Sequence, residues 1–312
     1  MRVAVLQGGR SLERQVSLQT GQRVEESLRR LGHEVHGVDI DHAFVRTLGD
    51  LRPDVAFVAL HGEDGEDGTV QELLEVLGIP YTGSAPAACE RCWDKVVAKR
   101  TLAGAGIATP DAVSVSESAF KQLGAADALV LVGERIGFPL VVKPSRQGSA
   151  LGLRMVQRAE EVPAALVAAL SYDDRVLLEH HVDGRDLSVS VLDDETLPVV
   201  EVHPRGVDPY AERYTIGETT FTCPADLDAA TIAAAEDLAL RAFHALGCRG
   251  FARVDLLADR VTGELTVLEV DAVPGLTHTS YLPVAAEAAG IGFDALVARL
   301  VELALQPASA GA

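Results

Sequence analysis

The sequence predicts a mixed α/β and α+β chain: a parallel-sheet body first, then antiparallel units from about residue 106 onward. Three observations carry this. Short apolar strands alternate with amphipathic helices through the first third, the pattern of a parallel sheet covered on both faces. After Thr109-Pro110 the strands instead follow one another across short, glycine-bearing turns. The 312 residues, 48% apolar and 23% charged, are enough for two or more cores without metal or disulfide staples.

Taken in order, residues 3–6 read as a buried strand and 15–31 as an amphipathic helix stopped by Gly32. Strands follow at 35–40 and 55–60, then a helix over 69–77 ended by Gly78, and a helical stretch over 93–105 closes a first body at 1–105. Residues 138–143 and 152–156 are strands joined by a loop of small residues, 160–170 is a helix, and strands return at 176–180, 186–193 and 197–203. This texture sets a second body at 106–182 and a third at 183–312. Residues 204–224 have little periodicity and read as a long ordered loop, a kind that usually serves function. A hairpin over 251–257 and 264–270 turns at Thr262-Gly263; helices at 283–289 and 293–305 end the fold, and 306–312 is small and polar enough to fray.

Lys plus Arg number 27 against 46 Asp plus Glu, a formal charge of −19. Such a surface repels phosphodiester backbones and anionic lipid, so no nucleic acid and no membrane partner is expected. A polyanionic ligand would need local cations or metal ions. Cys89, Cys92, Cys223 and Cys248 form no disulfide framework; Cys89 and Cys92 lack a second C-x-x-C pair and read as half-buried helix residues ahead of a zinc site. No run nears the roughly 18 apolar residues of a membrane helix, and the start is too short for a signal segment, so a cytoplasmic chain is expected.

Neither G-x-x-x-x-G-K-[ST] nor G-x-G-x-x-G is present, which disfavours a Walker ATPase or a standard NAD dehydrogenase. Lys143 ends an apolar strand and leads into Pro144-Ser145-Arg146-Gln147-Gly148-Ser149, a loop that is either a phosphate cradle or a flexible turn. Arg253 and Asp255 share one face of a strand, and Glu269 and Asp271 repeat that spacing on its partner. Three carboxylates so close call for cations between them, and oxygen-only ligands suit Mg²⁺. A solvated sheet face is the alternative. A third cluster, residues 61–68, begins with His61 at the end of a buried strand, where ligands of parallel sheets bind; Asp67 could equally cap the helix that follows.

Together these pieces resemble the ATP-grasp ligases, and within them the D-alanine–D-alanine ligase family, over about residues 3–305. The runs that carry the resemblance are QGGRSLERQVSL at 7–18, HGEDGEDGTVQELLE at 61–75, WDK at 93–95, KPSRQGSALG at 143–152, LLEHHVDGRDLSV at 177–189, YAERY at 210–214, GFARVDL at 250–256 and LEVDAVPGLTHTS at 268–280. The resemblance implies an ATP-grasp fold: an N-terminal parallel-sheet (pre-ATP-grasp) domain, a central grasp domain and a C-terminal domain, with ATP clamped between the last two. It implies ligation of two D-alanines through an acyl phosphate, for peptidoglycan precursors, by a homodimer.

Residue by residue, the resemblance implies that Lys95, Lys143 and Arg213 meet phosphates beneath a loop bearing Ser149, that Glu179 and Val182 meet adenine, and Asp186 the ribose. Asp255, Glu269 and Asp271 would hold two Mg²⁺ ions, with Mn²⁺ an alternative and a monovalent cation a further ligand. Glu13, with His61 nearby, would bind the first substrate's ammonium; Arg253 and the Gly275 N–H would form an oxyanion hole; Ser280 and Tyr281 would hold the second carboxylate; Glu13, Ser149 and Tyr214 would link substrate to closing loop. Asp271 stands where the family usually has Asn, Ala272 where it has Thr, Ala150 where it has a second serine, Arg213 for lysine, and Tyr281 for an aliphatic residue. The first two bear on metal affinity and the last on the acceptor. Two rivals follow: a ligase of the same mechanism with another acceptor, serving specialised metabolism, and a non-catalytic ATP-binding protein.

Overall fold

A computed structural model describes residues 1–122, 125–204 and 219–306, with the side chains of 125–130, 204 and 219 left out. The first sheet is parallel, in the order β2-β1-β3, from β1 (Arg2–Gln7), β2 (Glu34–Asp39) and β3 (Val55–Val58). The period-two rule is plain along β1: Val3 and Val5 enter one core, Ala4 and Leu6 another. Helices α1 (Arg14–Arg30) and α2 (Phe44–Leu51) connect the strands, and α3 (Thr69–Leu77) follows. Next come α4 (Pro86–Trp93) and α5 (Lys95–Gly104). The stretch expected as one helix from residue 93 is therefore split. Asp94 is extended, and its carboxylate caps α5 by accepting from the N–H groups of Val96 (2.9 Å) and Val97 (3.2 Å). Cys89 and Cys92 lie on α4 as expected of helix residues, but fully buried rather than half-buried.

The second sheet is antiparallel, β4-β7-β5-β6, from β4 (Ala112–Ser116), β5 (Leu140–Pro144), β6 (Arg154–Val156) and β7 (Arg175–His180). It is accompanied by α6 (Glu117–Gln122), α7 (Ala125–Ile136) and α8 (Val162–Ala169). The third sheet runs β11-β10-β8-β12-β13 with β9 paired to β8, from β8 (Gly184–Leu192), β9 (Glu195–Thr196), β10 (Val200–Pro204), β11 (Thr219–Thr222), β12 (Phe251–Asp259) and β13 (Leu265–Asp271). The expected 204–224 loop is corrected at its end, since Thr219–Thr222 pairs with β10; residues 205–218 lie outside the described chain.

Helix α9 (Ala229–Leu246) packs on this sheet together with Ala98 and Leu102 of α5. Helices α10 (Tyr281–Ala288) and α11 (Phe293–Leu305) return to the first sheet, where Leu282, Leu296, Leu300 and Val301 meet Val3, Val5 and Phe57. This return brings the loop after β13 against α1. No helix of the described residues is long and apolar enough to cross a membrane.

Candidate active site

Where the three sheets meet, a cavity of about 240 Å³ is lined by Glu13, His61, Glu66, Ser149, Arg253 and Ser280 among others. A smaller one of about 40 Å³ lies beside it, lined by Lys143, Glu179 and Val182. Lys95, the 147–149 loop and Glu269 line both, so the two form one site with a waist.

The register of the β12–β13 hairpin builds the floor. Arg253 stands opposite Asp271 and Asp255 opposite Glu269, so the residues that the spacing put on one face of each strand do meet. The Arg253 guanidinium bonds Asp255 (3.0 Å) and pairs with Asp271 (3.0 Å), so it is the cation that relieves these carboxylates here. Burial opposes its charge, but the two carboxylates hold its pKa well above the ordinary arginine range. Asp255 also accepts from Ser188 (2.8 Å) and sits behind the cavity, whereas Glu269, 3.5 Å from the Lys95 ammonium, and Asp271 open on it. Among the described residues no group of three or more acidic, His or Cys side chains is placed so as to hold a metal ion by itself. The donor set nonetheless fits Mg²⁺, which is bound by one or two carboxylates plus substrate phosphates.

One wall is the N-terminus of α1 and the loop after β5. Ser149 and Ala150 both take left-handed backbone conformations (φ 50° and 52°), and the Ser149 hydroxyl donates to Glu13. Gly148 lets the Glu13 carboxylate come close, since a Cβ there would lie 2.6 Å from one of its oxygens and push it aside. Burial, then the charge of Glu66, pushes the Glu13 carboxyl up to about 7, against the Ser149 hydrogen bond. Burial likewise pushes Glu66 up to about 8, with Asp271 adding to it. His61 is buried, shares a 2.9 Å hydrogen bond with Thr20, and is held below its usual pKa by desolvation. Asp67 accepts from the Thr69 N–H (3.0 Å) at the start of α3 but sits one residue before the N-cap, which is Gly68, so it braces the turn into the helix rather than capping it.

A buried charge trio lies at the smaller cavity's wall, Lys143 and Glu179 on its lining and Lys99 behind. Glu179 lies between the ammonium groups of Lys143 (3.0 Å) and Lys99 (2.8 Å); burial alone would raise its pKa, but the two cations hold it below the usual range. Lys99 also donates to Thr109 (2.6 Å) and to the Pro110 carbonyl (2.8 Å). Lys95 is aimed by its bond to the Gln147 carbonyl (2.7 Å).

The structure thus brings together Glu13, His61, Lys95, Ser149, Arg253, Glu269, Asp271, Gly275, Ser280 and Tyr281 around one cavity, and Lys143, Glu179 and Val182 around its neighbour. Asp186 lies apart from both, beside Asp255 under a minor cavity on β8. Arg213 and Tyr214 lie outside the described residues. Sequence reasoning missed Glu66 in the lining of the larger cavity, and it missed the Lys99–Glu179 pair beside the smaller one. Glu66 stood in the acidic run already singled out; Lys99 was legible only as another helical lysine.

The family model described as D-ala D-ala ligase C-terminus matches residues 101–302, and that described as D-ala D-ala ligase N-terminus matches 46–84. The D-alanine–D-alanine ligase of Syntrophotalea carbinolica is 43% identical over 301 residues, 96% of this chain and 95% of that protein. That of Moorella thermoacetica is 42% identical over 313 residues, 98% and 100% of the two chains. The solved D-alanine–D-alanine ligase of Bacillus anthracis superposes with a TM-score of 0.85 at 33% identity, covering 98% and 97% of the two chains. Its complex with ATP gives 0.83 at 32% identity over the same shares.

Proposed function

The chain belongs to the D-alanine–D-alanine ligase family, and on that premise we propose how its site joins two D-alanines at the expense of ATP. It is an ATP-dependent ligase with the ATP-grasp fold, serving peptidoglycan precursor synthesis. One observation carries the mechanistic reading: the two cavities share Lys95, Ser149 and Glu269, so a nucleotide in the smaller one delivers its terminal phosphate into the larger.

ATP is a substrate here. Its base lies by Glu179 and Val182, and its phosphates run past Lys143 and Lys95 under the loop bearing Ser149. Glu269 and Asp271, with Asp255 behind them, would hold Mg²⁺, which offsets the charge of the phosphates as it builds up on transfer. The first D-alanine binds with its ammonium on Glu13 and its carboxylate toward the phosphates. A carboxylate oxygen attacks the γ-phosphorus, ADP leaves, and an acyl phosphate forms. The second D-alanine, its carboxylate on Ser280 beside Tyr281, attacks the acyl carbon with its free amine, and inorganic phosphate departs from the tetrahedral intermediate. Arg253 and the Gly275 N–H stabilise the oxygen that becomes negative only in that step. The family resemblance carries the reading on to a cytoplasmic homodimer.

Tyr281 favours a second reading, the same chemistry with a different acceptor. Its ring meets Phe221 edge-on at 6.2 Å and lies 5.9 Å from the Arg253 guanidinium, giving the acceptor side an aromatic wall. The test is phosphate release and product mass with a panel of D-amino and D-hydroxy acids. D-alanyl-D-alanine is the expected main product with D-alanine, ATP and Mg²⁺. A dominant mixed dipeptide when other acceptors compete favours the second reading, and no ATP-dependent product at all removes both.

A further inference from the structure

We propose that Arg23 is a positioning residue for the acceptor half of the site, holding the loop that carries Gly275 and Ser280 in its working shape; this rests on the ligase reading above. Arg23 does not line the cavity. It lies on α1, where Val16, Thr20 and Arg23 recur at helical spacing behind Glu13 at the helix start, so one face of the helix serves the site along its length. Glu13 and Val16 line the cavity, Thr20 bonds His61, and Arg23 reaches the loop after β13.

One terminal nitrogen of Arg23 donates to two successive carbonyls, Leu276 (2.8 Å) and Thr277 (2.7 Å). The guanidinium also lies 3.6 Å over the ring of Phe293, on α11. The planar group is thereby held on two sides, one polar and one aromatic. In a trans peptide the C=O and N–H point opposite ways. Drawing the Leu276 carbonyl to Arg23 therefore turns the Thr277 N–H away from it, and that N–H donates to Ser280 Oγ (3.0 Å). The Thr277 hydroxyl reaches the same oxygen at 2.8 Å. Ser280 Oγ also lies against Gly275, where an added Cβ would come within 2.7 Å of it. A chain of contacts thus runs from Arg23 through the Leu276–Thr277 peptide to the hydroxyl proposed to receive the second substrate's carboxylate. Lysine, a compact ammonium on a flexible stem, can bond a carbonyl but cannot reproduce the stacked plane.

Steady-state kinetics of Arg23→Met, Arg23→Lys and Phe293→Leu test this. In Arg23→Met the KM of the second D-alanine rises on the order of tenfold, while KM for ATP and for the first D-alanine stay within about twofold. Arg23→Lys recovers part of the loss, and Phe293→Leu, which keeps the guanidinium, shows a smaller rise in the same constant. ATP titration of each variant verifies folding; should Arg23→Met fail to fold, the other two still read the split. A wild-type protein active on D-alanine whose variants show no rise, or one shared equally by all three substrates, overturns the assignment alone. A wild-type protein that makes no D-alanyl-D-alanine overturns the ligase reading and this assignment with it.

Discussion

A carboxyl pushed up to about 7 is partly protonated at neutral pH, so if Glu13 receives the first substrate's ammonium as proposed, it gates the donor side of the reaction. An incoming ammonium needs the carboxylate form, so donor binding weakens as pH falls through that value. The sign for the empty fold runs the other way. The native state holds this proton to higher pH than the unfolded chain does, so Glu13 contributes stability at low pH and loses it as pH rises from about 4.5 toward 7. A bound ammonium offsets that loss. The Ser149 hydroxyl lowers the Glu13 pKa, so Ser149→Ala is expected to shift the acidic limb of kcat/KM for D-alanine to higher pH, with activity near pH 6 falling more than activity near pH 8. A limb that stays put or moves to lower pH would show that Glu13 does not govern donor binding. The pairing itself was legible in sequence only through family resemblance. What brings Ser149 onto a residue 136 positions away is the left-handed backbone at Ser149 and Ala150, which no local propensity announces.

The elements were legible wherever one pattern ruled. The short apolar runs at β1, β5 and β12, buried on both faces, and the stop signals Gly32 and Gly78 gave correct placements, and the two-residue spacing put Arg253 with Asp255 and Glu269 with Asp271 on a shared face, as the pairing has them. Helix α9 went unread although Asp228 caps its start, bonding the Ala230 and Thr231 N–H groups (3.0 Å each), and left-handed Gly247 ends it. Its alanine-rich middle blurs the apolar stripe that marks a helix. The role of Lys99 was hidden for a different reason. It exists only because β5 and β7 pair so that Val141 faces Glu179, which sets Lys143 diagonally beside that carboxylate and α5 over both. Two ammonium groups then share one carboxylate, leaving a net positive charge beside the nucleotide cavity. In Lys99→Met the single remaining cation, Lys143, must neutralise Glu179 and is drawn away from the phosphates. The KM for ATP should rise about tenfold, equivalent to roughly 1.4 kcal/mol, with both D-alanine constants little changed and Lys99→Arg close to wild type. An unchanged KM for ATP would assign Lys99 to folding alone.

At the scale of the whole molecule, a net charge of −19 is at odds with a site for a triphosphate, and the fold resolves this locally. Lys95 and Lys143 converge from α5 and β5 on the smaller cavity, with Lys99 paired to Glu179 behind it, while Arg253 is already committed to Asp255 and Asp271. Facing those lysines, the larger cavity presents Glu13, Glu66, Glu269 and Asp271. Metal-free ATP would therefore bring its charge against carboxylates on a surface that already repels it, whereas ATP carrying a divalent cation meets carboxylates able to complete the ion's shell. If ATP is gripped between the second and third sheets, as proposed above, its binding should stabilise both: a ligand at 100 times its Kd adds about 2.7 kcal/mol, enough for a rise in melting temperature of several degrees. Thermal unfolding with ATP should show that rise with Mg²⁺ and lose most of it when EDTA is added. The same comparison on Glu269→Gln should show a smaller Mg²⁺-dependent increment. If chelation leaves the ATP-induced shift intact in the wild-type protein, the lysines alone hold the triphosphate, and Glu269 and Asp271 act on the chain's own cations, Lys95 and Arg253, and not on a metal.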